Sequence, residues 1–247
     1  MSLKDRCKQF QREFPAAKMN RTLLRKVYRL HGIKKKYLKW TKQAKDPDPE
    51  ADRRWYIDMK RKLTKAKNDG YRLVYADETM LTRKSVKETE WARKHENMTV
   101  DQAKLNEPTL ALLASISKEK GLEHWQLFPK SVNVIKFSER LRELRAANGD
   151  DKICIFMDNL GVHTSDYTKE EMKRLKFRWV YNVPYSPQWN PIELVFSQLK
   201  AKFKALRARK MVGLSQDSHE ALVVKAVESL KRKNIAKCVD HVNKLLN

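Results

Sequence analysis

Three acidic residues stand apart from the rest of this chain by where they fall. Asp77 directly follows the apolar run Arg72 to Ala76, and Asp158 directly follows the apolar run Ile153 to Met157. Glu193 falls in the first turn of a helix that opens at Pro191, just after a third run, Phe177 to Val183. Carboxylates at the ends of adjacent strands can converge on one point, and open α/β sheets place their ligand crevices at strand ends. Three such carboxylates can hold two divalent ions that clamp both sides of a phosphodiester during in-line displacement. Magnesium suits such a site, because it takes a few carboxylates and completes its shell with water and substrate phosphate. Taken singly, each residue also has a structural reading. An Asp at a strand end caps a turn, and a Glu in a helix's first turn is favoured by the helix dipole.

The background makes the acids conspicuous. Among 247 residues, 54 Lys and Arg oppose 30 Asp and Glu, a formal charge of +24. Such self-repulsion calls for a polyanionic partner, and nucleic acid is the first expectation. An anionic membrane surface and a merely solubilising surface are the others. The excess is uneven: residues 1–70 hold 22 Lys and Arg against 8 Asp and Glu, a net +14. Lys34, Lys35, Lys36 and Lys39 interleave there with Tyr37 and Trp40. A second basic run, Lys200, Lys202, Lys204, Arg207, Arg209 and Lys210, has no acid between Glu193 and Asp217. Either run can neutralise phosphates and release counterions, or form a solvated helix face.

The elements that must position these residues read as follows. Asn20 can cap a helix to Leu30, with Leu23, Val27 and Leu30 on one face and Arg21, Arg25 and Arg29 on another. Gly32 can end it in a left-handed cap. A short helix with an apolar and an arginine stripe suits the second helix of a helix-turn-helix, for which the charged, poorly patterned Met1 to Lys18 is the candidate support. Residues 41–52, with two prolines and four acids, read as a linker whose Pro49 to Asp52 can open the helix Arg53 to Asn68. Strands follow at Arg72–Ala76 and Pro108–Ser117, the latter in a hairpin with Trp125, Leu127 and Phe128 beyond Gly121. An amphipathic helix spans Val134 to Ala147, and Ile153–Met157 reads as a strand buried on both faces. Helix Lys169–Leu175, strand Phe177–Val183 and helix Pro191–Arg209 come next, the last with proline at its first position. Helices near Ser218–Lys231 and Ile235–Leu246 complete the chain. This succession implies a mixed α/β sheet with flanking helices.

The segments around the acids carry a specific phrase. Asp158-Asn159-Leu160-Gly161-Val162-His163, then Pro184-Tyr185-Ser186-Pro187-Gln188-Trp189-Asn190-Pro191-Ile192-Glu193, resemble the catalytic signature of mariner-type DDE transposases and their bacterial insertion-sequence relatives. Thirty-four residues separate Asp158 from Glu193, a spacing found in one branch of that superfamily, and Tyr75 to Thr79 (YADET) matches the place of its first aspartate. The likeness spans roughly residues 20–210 and is firmest over 72–80 and 153–203. It implies a ribonuclease H-like fold, a mixed five-stranded sheet flanked by helices and preceded by a small helical N-terminal segment. It implies that Asp77, Asp158 and Glu193 are catalytic and hold two Mg2+ (or Mn2+) ions. Asn159 would orient water or phosphate, or form the turn; His163 would contact the scissile phosphate, or start a helix and pack. Glu78 points away from Asp77 if the strand continues, and is not counted as a ligand. Pro184, Pro187 and Pro191 would stiffen the loop presenting Glu193.

The resemblance also implies partners: double-stranded DNA, as transposon terminal inverted repeats and as target, engaged by a homodimer. The site of action would be the nucleus of a eukaryote, or the cytoplasm and nucleoid of a bacterium. Arg21, Arg25, Arg29, Lys34, Lys35, Lys36 and Lys39 are the DNA-binding candidates. Family members carry two complete N-terminal helix-turn-helix units, whereas about 70 residues precede the first strand here, so little sequence discrimination is expected of them. Residues 1–40 would form a partial helix-turn-helix and basic linker, 41–70 a linker and lead-in helix, and 71–247 the catalytic domain with its C-terminal helices. The alternatives are a domesticated or defective copy that only binds DNA, and a ribonuclease H-type nuclease. A membrane-binding protein is disfavoured by the lack of a long amphipathic basic helix. The longest apolar runs, such as Leu110 to Ala114, are far short of a membrane span. MSLKDRCKQFQREF shows no apolar signal-peptide core. Cys7, Cys154 and Cys238 are too scattered for a disulfide framework or zinc finger.

Overall fold

The computed structural model describes residues 3–33, 49–81, 108–211 and 215–246. The chain divides into two units, residues 1–47 and 48–247. Lys34, Lys35, Lys36 and Lys39 and most of the expected linker lie outside the described residues.

In the first unit, α1 (Leu3–Glu13) packs against α2 (Arg21–Leu30). The N-terminal stretch is therefore an ordered helix despite its poor patterning. Cys7 and Phe10, three apart, are its half-buried positions, and Arg6 donates to the Tyr28 hydroxyl at 3.0 Å. The α2 caps are as expected: the Asn20 side chain accepts from the Leu23 amide at 2.8 Å, and Gly32 turns left-handed at φ 64°. The Ile33 amide then reaches back to the Tyr28 carbonyl at 2.7 Å, closing a Schellman turn. The apolar face differs from expectation. Leu24 is the buried residue, while Leu23 and Leu30 are 42% and 83% exposed. The contact with α1 selects the Leu24–Tyr28 side, one position round from the stripe that spacing alone favours.

The second unit opens with α3 (Pro49–Asn68) and β1 (Arg72–Leu81), then the hairpin β2 (Leu110–Ser117) and β3 (Gly121–Pro129). Gly121 is required at the hairpin: its φ is 78°, and a Cβ there would meet Arg232 at 3.1 Å. Helix α4 (Val134–Asn148) leads to β4 (Ile153–Met157), the single turn α5 (Gly161–Thr164), α6 (Asp166–Arg174) and β5 (Arg178–Tyr181). A 3-10 turn at Pro187–Trp189 precedes α7 (Pro191–Met211), followed by α8 (His219–Glu228) and α9 (Arg232–Leu246). The sheet order is β3-β2-β1-β4-β5. β1 and β2 run antiparallel, as do β2 and β3, whereas β1–β4 and β4–β5 are parallel. This is the mixed five-stranded sheet flanked by helices that the ribonuclease H-like resemblance implied.

Alternation along the strands splits the core into two layers. Leu73, Tyr75, Cys154 and Phe156 face α3, α7, α8 and α9, where Met59, Phe196, Phe203, Val223 and Val239 meet them. Val74, Ala76, Ile153, Ile155 and Met157 face the other side, against Phe137, Leu141 and Leu144 of α4 and Met172 of α6. All five β4 residues are buried, as expected of a strand covered on both faces. β1 is longer than its apolar run: pairing with β2 continues from Tyr75↔Ile116 to Leu81↔Leu110. Asp77 thus lies within a strand, opposite Ala114, and not beyond its end. The polar triplet Asp77, Glu78 and Thr79 looks like a stop in the sequence, but β2 supplies its backbone partners. Among the described residues, no helix is long and apolar enough to cross a membrane.

Candidate active site

The parallel pairing of β1 with β4 ends at Tyr75↔Phe156. Carried two residues further, that register sets Asp77 beside Asp158, on strands that lie about 4.8 Å apart in such a sheet. Asp77 shares the parity of Tyr75, so its carboxylate leaves the sheet on the α7 face, while Asp158 stands just past the end of β4. Glu193 comes to the same place from the first turn of α7. All three line one cavity of about 400 Å³, with the loop from Asn182 to Asn190 forming its other wall.

Each carboxylate is held differently. Asp77 is 8% exposed. Its Oδ1 accepts from the Glu78 amide at 2.8 Å, and Asn190 Nδ2 donates to Oδ2 at 3.4 Å. Burial, with the charges of Asp158, Glu78 and Glu193, pushes its pKa up from 3.8 to about 8. Asp158 is the first residue past β4. Its Oδ1 accepts from the Leu160 amide at 3.0 Å and meets His163 Nδ1 at 2.6 Å. Partial burial opposes its charge, but these partners hold its pKa below the ordinary carboxylate range. Glu193 is exposed, and its amide donates to the Asn190 carbonyl at 3.2 Å.

The other expected site residues fall as follows. Asn159 lines the cavity, and its Nδ2 donates to the Asn182 carbonyl at 2.6 Å, tying the loop after β4 to the end of β5. His163 is wholly buried and is absent from the cavity wall. A direct contact with a phosphate, one of its two expected roles, is closed to it. Its ring packs on Phe137 at 4.6 Å and holds Asp158. Burial disfavours a charged ring, but Asp158 and Glu78 outweigh it and push its pKa up to about 10. Arg21, Arg25 and Arg29 are exposed on α2 of the first unit. In the second basic run, Lys202 and Arg209 are exposed, but Arg207 is 1% exposed, so the run is not one continuous solvated face.

Two polar residues matter more than the sequence indicated. Asn190 is 2% exposed and links Asp77 to the turn that carries Glu193; its position before a helix-opening proline was the available signal. Asn182 is buried at the end of β5 and donates to the Ser186 carbonyl at 2.7 Å, bracing the loop on which Tyr185 sits with φ 55° and 94% exposure. No local pattern marks it.

Among the described residues, no group of three or more His, Cys, Asp or Glu side chains is gathered closely enough to hold a metal ion by itself. The site is instead an open, all-oxygen donor set, the kind that suits Mg2+ or Mn2+ completed by water and substrate oxygens. The fit is electrostatic as well. Asp77 is buried against like charges, and a divalent cation is the partner that would relieve them.

The chain superposes on the Mos1 strand transfer complex with a TM-score of 0.52 at 15% identity, covering 98% of this chain and 78% of that one. It matches the Mos1 mariner paired end complex with Mn with a TM-score of 0.53 at 14% identity, covering 98% of this chain and 74% of that one. At this identity the likeness establishes the fold, which is ribonuclease H-like. No curated protein sequence matches the chain. The family model of DDE superfamily endonucleases matches residues 72–214, from the first residue of β1 to just beyond α7 and across all three carboxylates, and by that match the chain belongs to the DDE superfamily endonucleases.

Proposed function

We propose that this endonuclease is a transposase. It would cut the DNA backbone at the ends of a mobile element and join the freed 3′ ends to target DNA. The observation that carries the reading is the convergence of Asp77, Asp158 and Glu193 on one open cavity in a chain of net charge +24. The solved structures that share the fold include a strand transfer complex and a paired-end complex with a left transposon end, which supports the same reading.

Asp77, the free Oδ2 of Asp158 and Glu193 are the residues that would hold two Mg2+ or Mn2+ ions. When bound, such ions polarise the scissile phosphate and activate the attacking water or 3′-hydroxyl. The chain's own residues supply the placement. Two neighbouring parallel strands fix the separation of the aspartates. Asn190 ties Asp77 to the start of α7, the turn that carries Glu193. Pro184, Pro187 and Pro191 restrict the loop between β5 and α7, and a misplacement of about 1 Å at such a site costs on the order of 100-fold in rate. Exposed Arg21, Arg25 and Arg29 would hold phosphates, which positions a protein on DNA without specifying sequence. Joining two DNA ends in one event calls for a homodimer on DNA, in the nucleus or nucleoid where that DNA lies.

Incubating the protein with labelled duplex DNA and Mg2+ or Mn2+ tests the assignment. Nicking or cleavage is expected, and Asp77→Asn, Asp158→Asn or Glu193→Gln should each abolish it while keeping side-chain size. Undiminished cleavage by any one variant removes that residue from the site. Inactivity of the wild-type protein on every duplex, with both metals, would favour the reading of a copy that only binds DNA.

A further inference from the structure

Asp158 has little to hold it. It lies one residue past β4, beyond the last rung of the ladder, and its side chain is 44% exposed. The chain then turns sharply into α5. A carboxylate in that position would sample several rotamers unless something behind the sheet fixed it.

His163 is placed to do so. Its backbone is pinned twice: its amide donates to the Leu160 carbonyl at 2.8 Å, and Tyr181 Oη donates to its own carbonyl at 3.0 Å. Its ring lies on Phe137 and has no exposed surface. From that fixed seat Nδ1 reaches Asp158 Oδ1 at 2.6 Å. On the far side, Nε2 lies 3.0 Å from Glu78 Oε2. That second contact is an ion pair outside hydrogen-bond geometry, since neither atom has a hydrogen-bond partner. Glu78 follows Asp77 in β1 and leaves the sheet on the opposite, α4 face, the face of Val74 and Ala76. The imidazole therefore bridges the residue next to one aspartate and the other aspartate itself. The Leu160 amide and His163 share Oδ1, and among the described residues Oδ2 makes no hydrogen bond, so it is left for the cavity.

We propose that His163 and Glu78 form a strut behind the active site, which fixes the Asp158 carboxylate and its spacing from Asp77. They are positioning residues that act through Asp158. The inference rests on the reading of Asp77 and Asp158 as metal ligands. Partners in this outer position commonly contribute 10–100-fold to metal affinity.

The test is Mn2+ affinity, measured on the full chain without DNA by the loss of the free-ion electron paramagnetic resonance signal, with circular dichroism to confirm folding. Removing the ring in His163→Ala should weaken Mn2+ binding by about 10-fold or more. His163→Asn, whose amide nitrogen sits near the place of Nδ1, should recover most of that loss. Glu78→Gln keeps the size of the side chain and removes its charge; it should weaken binding by more than about twofold but by less than the loss of the ring. It remains decisive if His163→Ala does not fold. Mn2+ affinity within twofold of wild type in folded His163→Ala, or in Glu78→Gln, overturns the strut. Equal weakening in folded His163→Asn and His163→Ala also overturns it, because a donor at Nδ1 would then not matter. Failure of the wild-type protein to bind Mn2+ overturns the metal-site reading as well, which separates that failure from failure of the strut alone.

Discussion

Asp77→Asn should stabilise the metal-free protein while destroying its metal response. The Asp77 carboxyl has its pKa raised from 3.8 to about 8 by burial and by neighbouring negative charges. In the folded state it keeps its proton where the unfolded chain has lost it. The unfolded state therefore binds fewer protons, and stability falls as pH rises from about 4 to about 8. Each pKa unit corresponds to about 1.4 kcal/mol, so near pH 7, roughly three units into the window, the penalty is on the order of 4 kcal/mol. Asparagine removes the ionisation but points an amide toward Asn190, which takes back on the order of 1–2 kcal/mol. The net gain of roughly 2 kcal/mol should raise Tm by about 5 °C in a unit of this size, at pH 7 in EDTA. The difference should shrink towards pH 4. Saturating Mg2+ or Mn2+ should then lift the wild type, by about 2.7 kcal/mol at 100 times Kd, and leave the variant nearly unmoved. Differential scanning fluorimetry across pH, with and without metal, measures both effects. An Asp77→Asn protein no more stable than wild type in EDTA at pH 7–8, or a gain that does not vary with pH, would refute the electrostatic account of this site.

Other perturbations separate the remaining parts of the picture. Replacing Arg21, Arg25 and Arg29 together by Ala should reduce the slope of log K against log salt for duplex DNA by up to about 2.7, at roughly 0.9 per phosphate contact; an unchanged slope would leave α2 without a phosphate-binding role. Binding of the unaltered chain to element ends should exceed binding to scrambled duplexes by less than about 1000-fold at matched salt, and light scattering should find a dimer on DNA. Tyr185→Gly should raise Tm slightly, because Tyr185 is 94% exposed with φ 55° and a non-glycine residue in that region costs about 1–2 kcal/mol; a lower Tm would mean that the ring packs usefully. Phe156→Ala, at a position with no exposed surface whose ring meets Tyr75 edge-on at 5.6 Å, should cost about 3–5 kcal/mol in urea unfolding.

Some of this molecule was legible in one dimension because the physics involved is local. Asn20 and Gly32 announce the ends of α2 because a side-chain acceptor and a left-handed residue satisfy helix termini wherever they occur. Ile153 to Met157 announces a doubly covered strand because no polar residue interrupts it. The three carboxylates were visible by their contrast with the surrounding charge and by the proline-rich phrase around Glu193. Tertiary structure decided the rest, by bringing distant segments together. Asp77 reads as the end of a strand, but β2 continues its ladder, and only the parallel register with β4 sets it beside Asp158. Leu24, not Leu23, is the buried residue of α2 because α1 chooses the face. His163 reads in the sequence either as a phosphate contact or as a residue that starts a helix and packs; the fold decides for packing, because Phe137, Tyr181 and Glu78 come to it from three separate elements. Spacing along a chain specifies which residues share a face of one helix or strand. Which charges then confront one another depends on how faces from separate elements pack, and no local pattern encodes that.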